Sequence, residues 1–366
     1  MSSDHHDDLR ALVRRFLEER SPSNEVRRLM DSPDSRDDQV WTMLAAQLGL
    51  TGLVVPEEHG GAGHGPVELG IVMEEMGRAL LVAPYFSTAL AAMTLAWSGD
   101  QDACARWLPG IAAGTVTGTV ALDDAGSAWD PDAVAARAHH DGEVWRVSGE
   151  KRFVVDGHSA DLLLVAARAE DEVAVFAVAG EAPGLTRTKL DYLDRTRDLA
   201  SVSLRDAPAV RIAGAGPHDW LDRVYDLALT ALASEQVGGA ARCLELAVEH
   251  AKLREQFGRP IGSFQAIKHK CAVLLLEVES SRSAAYHANA AVAAGDEHAS
   301  VAAALANCYS AEAFVHAAKE CIQIHGGIGY TWEHDAHLYL RRAKSSELLF
   351  GAPASQRSRL ADLVGI

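Results

Sequence analysis

The chain has 366 residues, 48% of them hydrophobic and 23% charged, which is enough material for two or three globular lobes around a large core. Its formal net charge of −17 disfavours nucleic acid or an anionic membrane surface as the main partner. An anionic ligand would instead need a local group of arginine or lysine side chains.

The cysteines and the first residues indicate the cellular compartment. Five cysteines stand in alanine- and leucine-rich surroundings, without a Cys-x-x-Cys pair or a histidine at metal-ligand spacing. This pattern is typical of buried free thiols, so no metal site is expected. Residues 1–6 are polar and acidic, unlike a secretion signal, and no apolar stretch reaches membrane-spanning length. The sequence therefore predicts a protein of the reducing cytoplasm.

Helical periodicity dominates the first third of the chain. Apolar residues recur at three- and four-residue intervals and predict helices over residues 8–19, 40–48, 66–80, 87–98 and 102–113. Residues 21–38 are mostly polar and contain two prolines, which predicts a loop. An apolar run that begins at Leu50 ends at Pro56 and Gly60-Gly61. We predict a helical N-terminal domain over residues 1–113.

The composition changes at Gly114. Short apolar runs separated by turn residues such as Asp141-Gly142 predict strands over residues 115–121, 134–138, 144–148, 162–167, 173–178, 200–204 and 209–212. Such short, regularly spaced strands are typical of a barrel or sandwich. We predict a small β-barrel or β-sandwich domain over residues 114–215, with a hinge-like break at residues 214–217.

The last part of the chain is again helical. Long periodic runs over residues 221–253, 264–294, 299–324 and 338–349 predict an antiparallel four-helix bundle within residues 216–366. The predicted fold class is thus an α+β multidomain protein with an N-terminal helical domain, a small central β-barrel or sandwich domain and a C-terminal four-helix bundle. The apolar faces of such a bundle commonly pack on a partner subunit.

One segment of the bundle, residues 254–265, has a composition suited to an adenine dinucleotide. Gly258 and Pro260 are expected to end the helix that precedes them. Arg254 and Phe257 are three residues apart, so both would project from one face of its last turn. A guanidinium can bind phosphate oxygens while a neighbouring ring stacks on a base. Such a pair at a helix end is also common as a purely structural feature.

A second segment, residues 323–327, supports the same interpretation. Gly326-Gly327 would let the backbone approach a ligand closely, and its amides could donate to phosphate. A glycine pair by itself also occurs as a simple helix stop. His325 is interpreted as a loop histidine with satisfied hydrogen bonds rather than a catalytic one. Residues 194–198, Asp-Arg-Thr-Arg-Asp, are interpreted as a salt-linked turn that ends the β-domain.

Over essentially its whole length the chain resembles the acyl-CoA dehydrogenase family of flavoproteins. Four segments in the family's order carry the resemblance: residues 49–63, 73–78, 254–265 and 323–329. The resemblance implies α,β-desaturation of an acyl-CoA thioester with FAD as cofactor and an acceptor such as an electron-transfer flavoprotein. In the family, the β-domain of one chain holds the isoalloxazine ring and the bundle of its neighbour holds the ADP half. The residues that match this ADP half are Arg254, Gln256, Phe257, Gln265, Gln323, Gly326 and Gly327.

The chain departs from the family at the catalytic base. Removal of a proton alpha to the thioester requires a carboxylate above that carbon. The usual base position corresponds to Phe350, and the alternative position used by some members corresponds to Ala228. The flavin-ring half departs as well, because residues 121–127 replace a Thr/Ser-rich loop and Val155 replaces a hydroxyl-bearing residue.

Three hypotheses follow from this departure. In the first, the chain is the base-lacking subunit of a mixed assembly, most simply a heterotetramer with a homologous chain, as in some bacterial dehydrogenases of steroid side chains. In the second, it forms a homo-oligomer in which the displaced base is Glu347 or Asp226. In the third, the same fold performs flavin-dependent oxygenation, which needs no such base.

Overall fold

The computed structural model describes residues 3–32, 36–122, 124, 129–214 and 219–366. The described N-terminal third is helical, with two short 3-10 turns between the third and fourth helices. The α-helices are α1 (Ser3–Arg20), α2 (Ser23–Met30), α3 (Asp38–Ala46), α4 (Pro66–Ala79), α5 (Tyr85–Ser98) and α6 (Gln101–Ala112). These bounds agree closely with the five predicted helices.

Helix α2 corrects the loop predicted over residues 21–38. Pro22 stands at its N-cap, where the missing amide hydrogen is not needed by the helix. Val26, Leu29 and Met30 are buried at three- and four-residue spacing. The proline and the many charges of this segment concealed a short amphipathic helix. Residues 33–35, in the second half of the predicted loop, lie outside the described residues.

Seven strands form the sheet in the middle of the described chain. They are β1 (Gly118–Ala121), β2 (Arg137–His140), β3 (Trp145–Val155), β4 (Leu162–Ala169), β5 (Glu172–Ala179), β6 (Leu185–Lys189) and β7 (Leu199–Ile212). The pairings β4–β2–β3–β7–β5–β4 close on themselves, while β1 extends along β4 and β6 along β7. The result is a small barrel around Leu163, Val165, Phe176 and Val202.

Two features of this sheet differ from the prediction. The runs over residues 200–204 and 209–212 belong to one strand, β7, in which Asp206 has a φ of 50° and the register with β3 shifts. The polar residues between the two runs therefore form a bulge and not a turn. Strand β6 was not predicted because three of its five residues are polar or charged side chains exposed on a sheet edge.

The C-terminal part contains the four predicted bundle helices and one more. They are α7 (Asp219–Leu253), α8 (Gln265–Ala294), α9 (Ala299–His325) and α10 (Ala336–Leu348), followed by α11 (Pro353–Leu363). Helices α4 and α7 cross closely at Gly77 and Gly238, which have no side chain. A Cβ on either glycine would overlap the backbone of the other helix. The predicted fold class is confirmed.

The predicted domain boundaries lie near changes in the type of secondary structure. The elements change type between Ala112 and Gly118 and again after Ile212. The division into domains at residues 113 and 215 stays a prediction, and most of the proposed hinge, residues 215–217, lies outside the described residues.

Within the described part of the chain, none of the helices combines the length and apolar character required to cross a membrane.

Candidate functional site

The segment after α7 is a hairpin, which corrects the expected helical pairing of Arg254 with Phe257. The helix ends at Leu253, and strands β8 (Glu255–Gln256) and β9 (Arg259–Pro260) pair around a two-residue turn. Phe257 and Gly258 both have positive φ, 53° and 74°, the conformation of a type I′ turn. The hairpin presents Phe257 to solvent with 92% of its surface exposed.

The backbone around Arg254 is held on both sides. Its amide donates to the His250 carbonyl at 2.8 Å, and its own carbonyl accepts from the Ile261 amide at 2.8 Å. The Arg254 side chain itself is exposed and forms no ion pair with another described residue. On the same hairpin, Arg259 lies over the ring of Phe264 at 4.2 Å. The result is a fixed backbone that carries exposed cations and an exposed ring.

The other residues predicted for a dinucleotide lie at this same end of the bundle. The ends of α7 and α9 meet there, since the rings of His250 and His325 are 4.3 Å apart. Gly326 has a φ of 65°, and a Cβ on Gly326 or Gly327 would meet no atom within 4 Å. The space above these glycines is therefore open to an outside group. The predicted side chains that share this exposed end are Gln256, Gln265 and Gln323.

His325 is buried in the last turn of α9 and not in a loop, which corrects its predicted location. Its Nδ1 atom lies 2.7 Å from the Cys321 carbonyl oxygen, so the ring has a hydrogen-bond partner as expected. Its ring lies between His250 and His334, whose centroids are 4.3 and 4.1 Å away. Burial and the neighbouring His325 lower the pKa of both His250 and His334. The stacked rings of His250, His325 and His334 thus lie next to the Gly326-Gly327 turn.

Phe350, the residue that the sequence resemblance matches to the family's usual base, is rigidly held. Phe350 has a φ of 59°, and its carbonyl accepts hydrogen bonds from Tyr225 Oη at 2.5 Å and Gln356 Nε2 at 2.7 Å. Its ring packs edge-on against Phe86, with centroids 6.0 Å apart. Neither ring can accept a proton, so this position cannot supply a general base.

The flavin-ring half of the site has little free space among the described residues. The cavity beside Phe350 has a volume of about 30 Å³, and Trp129, Phe153 and Tyr225 are among the residues that line it. Sites for drug-sized ligands have volumes of roughly 300–1,000 Å³. These side chains therefore do not fit a three-ring flavin, whereas the exposed end of the bundle does fit the ADP half of a dinucleotide. Within the predicted flavin loop, Asp123 and residues 125–127 lie outside the described residues.

The three other positions considered for a base are buried or paired. Ala228 is fully buried on α7. Asp226 accepts from Ser300 Oγ at 2.5 Å and pairs with Arg359 at 2.8 Å, and its burial raises its pKa. Glu347 pairs with Lys344 one turn earlier on α10. Both carboxylates thus have local structural partners.

Residues 194–198 form part of a buried cluster between the sheet and the bundle, which corrects the salt-linked turn predicted there. Asp194 pairs with Arg342 of α10 at 3.0 Å, and Arg197 pairs with Glu235 of α7. Arg342 also lies 3.3 Å from Glu235, and all four side chains are at most 5% exposed. Burial opposes ionisation of Glu235, but Arg197 and Arg342 outweigh it and lower its pKa. These residues were missed because charged residues in a sequence usually indicate a surface.

Asp156 lies beside this cluster and has a different protonation behaviour. Its Oδ2 accepts from Ser87 Oγ at 2.6 Å, and burial raises its pKa to about 7. In the unfolded chain an aspartate has a pKa near 4. The folded protein therefore keeps a proton that the unfolded chain releases between about pH 4 and 7, so stability falls as the pH rises through this range.

We expect Asp156→Asn to stabilise the fold, because asparagine keeps the hydrogen bond from Ser87 without a buried charge. The gain should be small at pH 4 and should reach on the order of 2 kcal/mol at pH 8. Urea unfolding of both proteins between pH 4 and 8 measures the difference. An equal effect at pH 4 and pH 8 would show that Asp156 does not titrate in this range.

Comparisons with known proteins agree with this geometry. Family models described as the N-terminal and C-terminal domains of acyl-CoA dehydrogenase match residues 3–115 and 228–365. The acyl-CoA dehydrogenase IpdE2 of Mycolicibacterium smegmatis is 34% identical over 367 residues, which covers 98% of each chain. The chain therefore belongs to the acyl-CoA dehydrogenase family of oxidoreductases, and the resemblance found in the sequence is confirmed.

Two solved structures extend the comparison. The ChsE4-ChsE5 complex from Mycobacterium tuberculosis superposes with a TM-score of 0.91 at 29% identity, covering 100% of this chain and 98% of the other. A variant of the Tcur3481-Tcur3483 steroid ACAD superposes with a TM-score of 0.90 at 30% identity, covering 99% of this chain and 98% of the other. By their titles, both structures contain two differently named chains.

Proposed function

We propose that this chain is the base-lacking subunit of a mixed acyl-CoA dehydrogenase assembly. In this assembly it contributes the ADP half of an FAD site, and a homologous chain contributes the flavin-ring pocket and the carboxylate base. The observation that carries the proposal is Phe350 at the base position, held by Tyr225 and Gln356. Both hydrogen bonds hold the main-chain carbonyl of Phe350 and so fix the backbone of this loop. The fixed backbone keeps the Phe350 ring, and not a carboxylate, at this position.

The exposed end of the bundle supports the ADP-binding role. Arg254 and Arg259 are exposed there, although the whole chain is strongly acidic. The pyrophosphate of a dinucleotide would bind Arg254 beside the open Gly326-Gly327 turn, and its adenine would stack on Phe257. Bound FAD supplies the oxidant for the removal of two hydrogens, and Arg254, Gln323 and the glycine turn hold its ADP end.

The small space around Phe350 supports a site shared between two chains, in which the flavin ring and the substrate bind to the homologous chain. Among the described residues, the cavity beside Phe350 has a volume of about 30 Å³, which is too small for a flavin ring and a substrate. The thioester would then react in the homologous chain, where a carboxylate removes the alpha proton. The assembly would pass its electrons to an acceptor such as an electron-transfer flavoprotein in the cytoplasm.

The relatives support a choice of substrate and partner. One similar structure is titled as a steroid ACAD and another as a complex of two named chains. We infer that the acyl group here has a bulky polycyclic or steroid-derived body and that the assembly is a heterotetramer. The domain division at residues 113 and 215 belongs to the same proposal, with the third domain as the part that meets the partner's flavin.

Turnover measured with and without a base-bearing homologous chain tests this function. The purified chain alone should dehydrogenate acyl-CoA very slowly, because the loss of general-base assistance costs roughly 10²–10⁴-fold. The two chains expressed together should show full turnover. Full turnover by this chain alone would contradict the proposal.

Two matched variants separate the proposal from a displaced base. Glu347→Gln and Asp226→Asn should leave the turnover of the mixed assembly within about twofold, because these carboxylates serve Lys344 and Arg359. Loss of activity in either variant would assign the base to that residue. Incorporation of molecular oxygen into the product would identify the oxygenase hypothesis instead.

A further inference from the structure

A second cavity lies between the N-terminal helices and the bundle and plays no part in the proposed reaction. It has a volume of about 240 Å³ and lies between α1, α2, α4, α7 and α10. One part of its wall is apolar, and the residues that form this part are Leu17, Val26, Leu80, Leu246 and Leu338. Since a water occupies about 30 Å³ in the liquid, the space suits a molecule of about eight or nine non-hydrogen atoms.

Three arginines line this cavity with donors that no described residue uses. Arg78 and Arg242 form their hydrogen bonds to side chains through Nη1 alone, and both bind the single carboxylate of Glu245. Arg14 binds Glu75 through Nε and Nη2 and leaves Nη1 without a described partner. The remaining guanidinium N–H groups can only donate, so they require an acceptor-rich ligand.

Acidic side chains line the cavity together with the arginines, but Glu75 already pairs with Arg10 and Arg14, and Asp335 pairs with Arg27. The unused donors of the lining arginines therefore favour a small anion.

The guanidiniums of Arg78 and Arg242 both bind Glu245. Burial alone would raise the pKa of Glu245, but these two arginines lower it. The exposed Glu249 lies 3.6 Å from Arg242, and Glu18 stands exposed at the rim. Both lie in solvent, where they screen the guanidiniums only weakly.

A buried hydroxyl supplies an independent sign of a ligand. Ser21 lines the cavity and is only 6% exposed, yet its Oγ has no hydrogen-bond partner among the described residues. A buried polar group without a partner costs about 1–3 kcal/mol and is uncommon in native proteins. An acceptor in the cavity would satisfy this hydroxyl.

From these features we propose that the cavity binds a small carboxylate with an apolar body. The carboxylate accepts from the donors of Arg78 and Arg242 that Glu245 leaves unused, and the apolar body packs on Leu80, Leu246 and Leu338. A bare phosphate would leave this apolar wall uncovered, and a neutral molecule would leave the guanidinium donors unused. None of the residues that line the cavity is among those proposed to bind FAD, and the site does not depend on the assembly of a mixed complex.

Isothermal titration of the full chain, in whichever oligomer it is purified, tests this site with two probes of equal shape. Cyclohexanecarboxylate should bind saturably at low ionic strength, and cyclohexanecarboxamide should bind about ten- to a hundredfold more weakly. Arg242→Gln should weaken the carboxylate by the same factor. Arg15→Gln, which removes one positive charge from the exposed face of α1, should leave binding within twofold.

A second variant keeps the test decisive if Arg242→Gln disturbs folding. Leu246→Trp fills the apolar part of the cavity without changing its charge and should abolish binding of cyclohexanecarboxylate. Equal binding of the two probes, equal weakening by Arg15→Gln and Arg242→Gln, or unchanged binding in Leu246→Trp would each overturn the proposal. These outcomes are independent of turnover, so they do not bear on the proposed dehydrogenase function.

Discussion

Replacing Arg342 by methionine is expected to lower the free energy of unfolding by about 3–5 kcal/mol. The substitution leaves Asp194 and Glu235 buried without the guanidinium that both carboxylates contact. It also removes three hydrogen bonds to Thr196, one at 2.6 Å to its carbonyl and two at 2.7 and 3.0 Å to its hydroxyl. Because the cluster joins the sheet to the bundle, urea unfolding followed by both circular dichroism and tryptophan fluorescence measures the loss.

A matched control lies on the same helix. Lys344 pairs with Glu347 on the partly exposed side of α10, so Lys344→Met should change the free energy of unfolding by well under 1 kcal/mol. A similar loss in both variants would mean that the burial of Arg342 has no special energetic role. Restoration of stability by Arg342→Lys would show that charge alone suffices without the two-sided geometry of the guanidinium.

Replacing Arg254 by alanine is expected to weaken FAD retention by the mixed assembly about ten- to a hundredfold. A charge-assisted hydrogen bond to the pyrophosphate contributes about 1.5–3 kcal/mol. The backbone bonds of Arg254 to His250 and Ile261 do not involve its side chain, so the hairpin should keep its shape. The fluorescence of flavin released on dilution gives the dissociation constant.

Lys252→Ala provides the control for this measurement. Lys252 is exposed in the last turn of α7, two residues before Arg254, and its loss changes the net charge equally. It should alter FAD retention by less than threefold. An Arg254→Ala assembly that keeps all its flavin through dilution and gel filtration would remove Arg254 from the binding site.

Much of the fold could be predicted because long elements carry strong periodic signals. Helices α7, α8 and α9 each exceed twenty residues, so their apolar spacing outweighs local exceptions. Helix α2 and strand β6 are short, and burial of a few side chains decides their conformation. Single propensities in such segments are too weak to predict the outcome.

The candidate site shows the same limit in another form. Arg254, Phe257 and Gly326 were identified from residue type, yet the hairpin turn was missed because a phenylalanine at positive φ is uncommon. The buried cluster depends on pairs far apart in sequence, such as Asp194 with Arg342. Nothing in the local sequence of either residue indicates its partner.

The most direct test of the central claim is the number of FAD molecules per chain. The assembly purified from co-expression with a base-bearing homologous chain should contain one FAD for every two chains, because each bound FAD takes its ADP end from this chain and its ring pocket from the other. This chain expressed alone should retain little or no flavin. One FAD per chain in a homo-oligomer of this chain, with steady turnover of an acyl-CoA, would contradict the account.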